Sequence, residues 1–156
     1  MNILAFDLGG SGGRMLLFTC TDSTVEIKTI HRFEHHPIEV NEGLYWDILY
    51  IWQNIQTGIK KAIDITGDQI DSFGMDSFCN DFACMSAAGE LLTPVRCYRD
   101  KRTQIYGQRI YESFSKDVLY QITGNQSAPF TCFMQMSAMI NAGQGYILRN
   151  AFKILF

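Results

Sequence analysis

The chain has 156 residues, of which 47% are hydrophobic and 19% charged, with a formal net charge of -3. That suits about one soluble domain with a real core. No basic patch stands out to mark a nucleic-acid surface, and no apolar run reaches the length of a membrane span.

The first elements read as strand, tight turn, strand. Ile3–Leu8 and Arg14–Cys20 are predicted strands, joined by Gly9-Gly-Ser-Gly-Gly13, and Val25–Phe33 is a third after the turn Thr21–Thr24. Connections this short imply an antiparallel meander. The N-terminus reaches Asp7 almost at once and lacks a basic n-region, unlike a signal peptide. A loop is expected over 34–44. A helix follows from Asp47 to Ile65, with Ile48, Ile51, Trp52, Ile55, Ile59, Ala62 and Ile63 at helical spacing. Asp47 suits its start and Gly67 its stop.

Strands are then expected at Asp71–Ser77 and Asp81–Ser86, and an extended piece at Pro94–Tyr98. Helical patterns follow at Lys101–Glu112, Lys116–Thr123 and Cys132–Ala142, with Gly124 as a C-cap. The last eleven residues, 146–156, read as a helix with Ile147, Leu148, Ala151, Ile154 and Leu155 on one side. A chain stopping on an uncovered apolar run suggests a fragment. Three antiparallel strands, a helix, another strand, then more α and β make an α/β unit of the ribonuclease-H-like kind.

The turn carries the first chemical signal. Asp7 sits at a strand end, where a carboxylate can hold magnesium through water. Gly10, Gly12 and Gly13 permit positive φ and close backbone approach. N–H groups in such a turn can converge on an anion. The segment lacks the Lys-Ser/Thr of a Walker A loop, and a strand rather than a dinucleotide-binding helix follows. On this pattern alone, an anion site and a plain hairpin turn both stand.

Cys20, Cys79, Cys84, Cys97 and Cys132 are odd in number and form no C-x-x-C pair, which favours free thiols in a reducing cytoplasm over disulfides or zinc. His31, His35 and His36 read as a solvated loop rather than a metal site.

Taken together, these segments resemble the FGGY carbohydrate kinases and, within them, are most similar to the rhamnulokinases. Asp7-Leu-Gly-Gly-Ser-Gly-Gly-Arg14 is similar to the family's first phosphate motif. Ile30-His-Arg-Phe33, Leu44-Tyr-Trp-Asp47, the run from Ile70 to Phe82, Tyr98-Arg-Asp-Lys-Arg-Thr103 and Tyr120-Gln-Ile-Thr-Gly124 continue the likeness in order. The resemblance implies an actin-like ATPase (ribonuclease H-like) domain with a mixed sheet and packed helices. Residues 1–156 would be a partial N-terminal domain, with the C-terminal remainder and second domain absent.

The resemblance also implies transfer of the γ-phosphoryl group of ATP, with Mg2+, to a hydroxyl of L-rhamnulose or a related ketose in the cytoplasm. Asp7 would sit near the metal, and Gly10, Ser11, Gly12, Gly13 and Arg14 on the phosphate-contacting turn. Cys79, Asn80, Asp81 and Tyr98 would line the sugar site. Cys79 departs from the family, standing where rhamnulokinases place a substrate-contacting glycine, which leaves fuculose or xylulose open as the acceptor. Asp76 and Asp81 could instead be turn residues, Tyr98 a core aromatic, and Arg99, Asp100 and Arg102 a structural ion network. The family's general base would lie beyond residue 156, so the chain alone is expected to be inactive. A non-catalytic binding fragment is the other reading.

Overall fold

A computed structural model describes residues 1–126 and 128–156, and these group into two units. The first comprises Met1–His36 and Asp47–Phe78, the second Pro37–Trp46 and Cys79–Phe156.

In the first unit, β1 (Asn2–Gly9), β2 (Gly12–Cys20) and β3 (Val25–Glu34) form the expected antiparallel meander. Strand β6 (Ser72–Ser77) adds parallel to β1, so the four-stranded sheet is mixed, in the order β3-β2-β1-β6. A parallel neighbour needs a crossover, and helix α1 (Ile48–Thr66) lies in the connection between β3 and β6. Asp47 caps its start, its side chain accepting from the Tyr50 N–H, and Gly67 ends it in the left-handed conformation. Side-chain alternation puts Leu4, Phe6 and Leu8 of β1, Met15 and Leu17 of β2 and Phe33 of β3 in one core with Ile51, Ile55 and Ala62 of α1. The buried stripe is narrower than the sequence pattern: Trp52 and Ile63 are exposed.

The loop expected over 34–44 holds a hairpin instead. β4 (Ile38–Val40) pairs with β5 (Gly43–Tyr45) around Asn41-Glu42, both at positive φ, as two-residue hairpin turns require. It belongs to the second unit, where Tyr45 bridges Arg96 and the Trp46 N–H donates to the Val95 carbonyl. The predicted strand at 81–86 shortens to β7 (Ala83–Met85). The predicted helix at 101–112 divides into α2 (Arg102–Ile105) and a 3-10 turn, Gly107–Glu112. Helix α3 (Lys116–Thr123) stands as expected, with Gly124 as its left-handed cap.

Helix α4 (Cys132–Met139) runs into a kink within Ile140–Gln144, where Gly143 takes positive φ and breaks the helical path. The terminal helix is corrected too. α5 (Gly145–Asn150) stops at Asn150, and β8 (Lys153–Leu155) pairs antiparallel with β7. Its apolar side is covered: Ile147 is buried, and Leu148, Ala151 and Ile154 pack with Phe82, Cys84 and Met139, although Leu155 and Phe156 remain exposed.

Candidate functional site

The turn between β1 and β2 is a two-residue hairpin: Gly9 pairs with Gly12, leaving Gly10-Ser11 at the tip. Close approach, rather than positive φ, is what its later glycines supply. A Cβ on Gly12 would meet the Phe33 carbonyl oxygen at 2.7 Å, and one on Gly13 would run into the Phe33 ring. The His35 N–H donates to the Ser11 carbonyl at 3.1 Å, tying the turn to the end of β3.

The strand register lays four charges side by side across the sheet. Arg32 of β3 pairs with Arg14 of β2, Arg14 with Asp7 of β1, and Asp7 with Asp76 of β6. Arg14 donates to Asp7 Oδ2 from Nε at 2.7 Å, and Nη2 approaches the same oxygen at 2.7 Å. Asp7, Ser11, Gly12, Gly13, Arg14 and Arg32 line one cavity of about 500 Å³, with the exposed His36 at its edge. Two guanidiniums, Arg14 and Arg32, thus share the cavity wall with two carboxylates, Asp7 and Glu34; guanidinium forks are suited to phosphate oxygens in general. Arg32 and His36 line this cavity without having been sequence candidates. The signal for Arg32 was present: once the meander's loops are counted, it falls beside Arg14 in the register.

Of the three histidines expected in a solvated loop, His36 is exposed in coil, but His31 and His35 are not. His35 is buried, with Nε2 at 2.9 Å from the Gly9 carbonyl oxygen, and His31 Nε2 lies 2.9 Å from Asn54 Oδ1. No group of three or more metal-ligating side chains occurs among the described residues.

In the second unit, Cys79 and Asn80 line a cavity of about 380 Å³ with Thr123, Asn125, Phe130 and Cys132. Asp81 and Tyr98 are not on its wall. Asp81 is buried, and its Oδ2 accepts from Trp46 Nε1 at 2.8 Å. Burial pushes the Asp81 carboxyl up, against the opposing pull of Trp46, the Tyr98 N–H, Gln135 and Arg102. Tyr98 is half-buried between Trp46 and Phe130, with ring centroids 6.4 and 6.5 Å away, and so reaches the cavity only through Phe130.

Gln135, buried on α4, holds the loop that carries Asn80. Its Nε2 donates to the Asn80 and Phe130 carbonyls, and its Oε1 accepts from Arg102 Nη2 at 3.0 Å. Arg102 is itself buried, which lowers it to about 10. Asp100 is the anchor beneath. Burial works to raise its carboxyl, but the Leu44 and Arg102 N–H groups and Arg96 outweigh burial and hold it below the usual range. Asp100 and Arg102 thus form the structural network with Arg96, while the exposed Arg99 donates to the Tyr98 hydroxyl at 3.0 Å.

A mixed sheet with a crossover helix puts the first unit in the actin-like, ribonuclease-H-like fold class. The profile of the FGGY family of carbohydrate kinases, N-terminal domain, matches residues 2–141, and the chain belongs to that family.

Among curated relatives, a rhamnulokinase of Mannheimia succiniciproducens is 31% identical over 149 residues, 94% of this chain and 31% of its own length. A rhamnulokinase of Oceanobacillus iheyensis is 34% identical over 144 residues, 92% of this chain and 30% of its own. The fold is similar to a gluconate kinase from Lactobacillus acidophilus (TM-score 0.82, 15% identity, 99% of this chain and 31% of that one). A ligand-bound xylulose kinase from the same organism matches with TM-score 0.80 and 16% identity, covering 98% of this chain and 31% of that one. The chain therefore spans about a third of the length of the relatives it matches. No helix among the described residues is long and apolar enough to cross a membrane.

Proposed function

We propose that this chain is the N-terminal, phosphate-gripping part of an ATP-dependent sugar kinase that phosphorylates a hydroxyl of L-rhamnulose or a related ketose. The observation that carries the reading is the pairing of Arg32 with Arg14 and of Arg14 with Asp7 beside the glycine hairpin. ATP with Mg2+ would supply the phosphoryl group. Ser11 and the backbone of Gly10, Gly12 and Gly13 bind phosphate oxygens, and Arg14, seconded by Arg32, neutralises charge on them. Phosphoryl transfer asks a protein mainly for positioning and charge stabilisation, which such a set supplies. Asp7 is the carboxylate that would hold the Mg2+, directly or through water, and the ion would supply charge neutralisation on the phosphates.

Cys79 and Asn80 contact the sugar. Asp81 and Tyr98 position them from behind, through Trp46 and Phe130. No carboxylate of this chain is assigned as general base, because none is matched to the family's base motif, so the chain alone has no turnover. A second acceptor, fuculose or xylulose, is favoured by one observation: the exposed Cys79 side chain narrows the cavity where the resemblance places glycine.

The test is a chimera in which residues 2–141 replace the aligned segment of the Mannheimia rhamnulokinase, assayed for ADP formation with L-rhamnulose, L-fuculose and D-xylulose. Turnover of one ketose, abolished by Arg14→Ala, supports the reading. A folded chimera inactive on all three overturns it. Turnover by the 156-residue chain alone would overturn the assignment of its inactivity.

A further inference from the structure

Cys79 and Cys132 are 53 positions apart in sequence, yet both line the second unit's cavity. The Cys132 thiol donates to the Cys79 carbonyl at 3.7 Å and to the Asp81 carbonyl at 3.6 Å, so the 79–81 loop lies over the sulfur. A carbonyl oxygen lies about 2.4 Å from its own Cα. The Cys132 sulfur is therefore within about 6 Å of the Cys79 Cα. Rotation of the exposed Cys79 side chain and a small adjustment of its loop close that gap to disulfide geometry. The other three thiols are placed differently: Cys84 and Cys97 are buried, and Cys20 lies on β2 of the first unit.

We propose that Cys79 and Cys132 form a peroxide-sensitive dithiol, a modification site at the cavity wall that closes to a disulfide. The exposed Cys79 is the attacking thiol. Burial, then the nearby Asp81 carboxylate and Cys79, hold the Cys132 thiol above its ordinary range, which suits it to the second step rather than the first.

Hydrogen peroxide is the oxidant. The Cys79 thiolate attacks one peroxide oxygen; an S–O bond forms, the O–O bond breaks, and the departing hydroxide takes up a proton as water. The Cys132 sulfur then attacks the Cys79 sulfenic sulfur. The S–S bond forms, the S–O bond breaks, and the hydroxyl leaves as water with the Cys132 proton. Two thiols lose two electrons and two protons, and one peroxide becomes two waters. Closure of the cavity to sugar rests on the function proposed above; the disulfide itself does not.

The experiment treats the 156-residue chain with hydrogen peroxide, without sugar or nucleotide, and counts thiols before and after. Reactive thiols in denaturant are expected to fall from five to three, with the mass of two hydrogens lost. Non-reducing peptide mapping should give one Cys79–Cys132 cross-link, reversed by dithiothreitol. Cys132→Ser is expected to abolish the cross-link and leave Cys79 as a sulfenic acid trapped by dimedone. A cross-link to any other cysteine, a disulfide between two chains, or five thiols surviving would each overturn the proposal. Mapping on the unaltered chain decides the matter even where a variant fails to fold.

Discussion

Arg14 and Asp7 face each other across β1 and β2, with the guanidinium closed onto a single carboxylate oxygen through two nitrogens at 2.7 Å. Both side chains are well exposed, at 48% and 39%. An exposed pair of this kind contributes about 0–1 kcal/mol, so little holds it shut against a ligand. Arg14→Ala is expected to shift the urea midpoint hardly at all while weakening ATP–Mg2+ binding roughly 10- to 100-fold, the loss of a hydrogen bond to a charged group. Calorimetric titration beside denaturation separates the two effects. A large stability loss with unchanged binding would make Arg14 a structural charge.

Arg32→Ala makes a sharper test of the register, since its place beside Arg14 is what brings it to the cavity wall. The expected result is a binding loss of roughly 10-fold or more by the same reasoning, with an unchanged midpoint. Equal affinity for wild type and variant would confine the phosphate grip to β1 and β2.

Gly12→Ala and Gly13→Ala should both destabilise. At Gly12 the added methyl meets backbone, the Phe33 carbonyl; at Gly13 it meets the buried Phe33 ring, with Phe6 behind it. Overpacking of this sort costs about 1–3 kcal/mol. Chemical denaturation checks both variants, and an unchanged midpoint for either would contradict the packing described.

Asp81 and Asp100 should respond to pH with opposite signs. Asp100 is held below its ordinary range, so its contribution is fully present above the unfolded value of about 4 and fades as pH falls through the folded value. Asp81 is raised, so stability drains away as pH climbs from about 4 through its folded value. Asp81→Asn keeps an acceptor for Trp46 and removes that drain. The variant should therefore gain on wild type in urea midpoints as pH rises above about 4. Parallel curves would show that Asp81 ionises as though exposed.

Gln135→Leu should destabilise strongly, by about 3 kcal/mol or more, because it strands the Arg102 guanidinium and the Asn80 and Phe130 carbonyls together. Melting temperature reads this out directly. A shift smaller than that of Arg14→Ala would refute the clamp.

The meander, α1 and β6 were legible because alternation, a helical stripe and glycine punctuation agreed locally. Asp7 to Arg14 was legible for the same reason. What the residues concealed was set by tertiary pairing. Three-residue strands such as β4 and β8 carry too few positions for a period to appear, and β8 forms only because β7 receives it. Asp81 read as a sugar ligand because nothing local shows that Trp46, 35 positions away, takes its oxygen. His35 read as loop because its partner carbonyl belongs to Gly9.

Phe73 and Met75 of β6 pair with Leu4 and Phe6 of β1, so they share the face that α1 covers elsewhere, yet both are about half exposed. Among the described residues β6 also stands at the border of the sheet, with no strand paired to its other flank. Such a border is a template for further strands. In concentrated solution the 156-residue chain should therefore recruit copies of itself along Ser72–Ser77, and a lysine in place of Met75 should keep it dispersed.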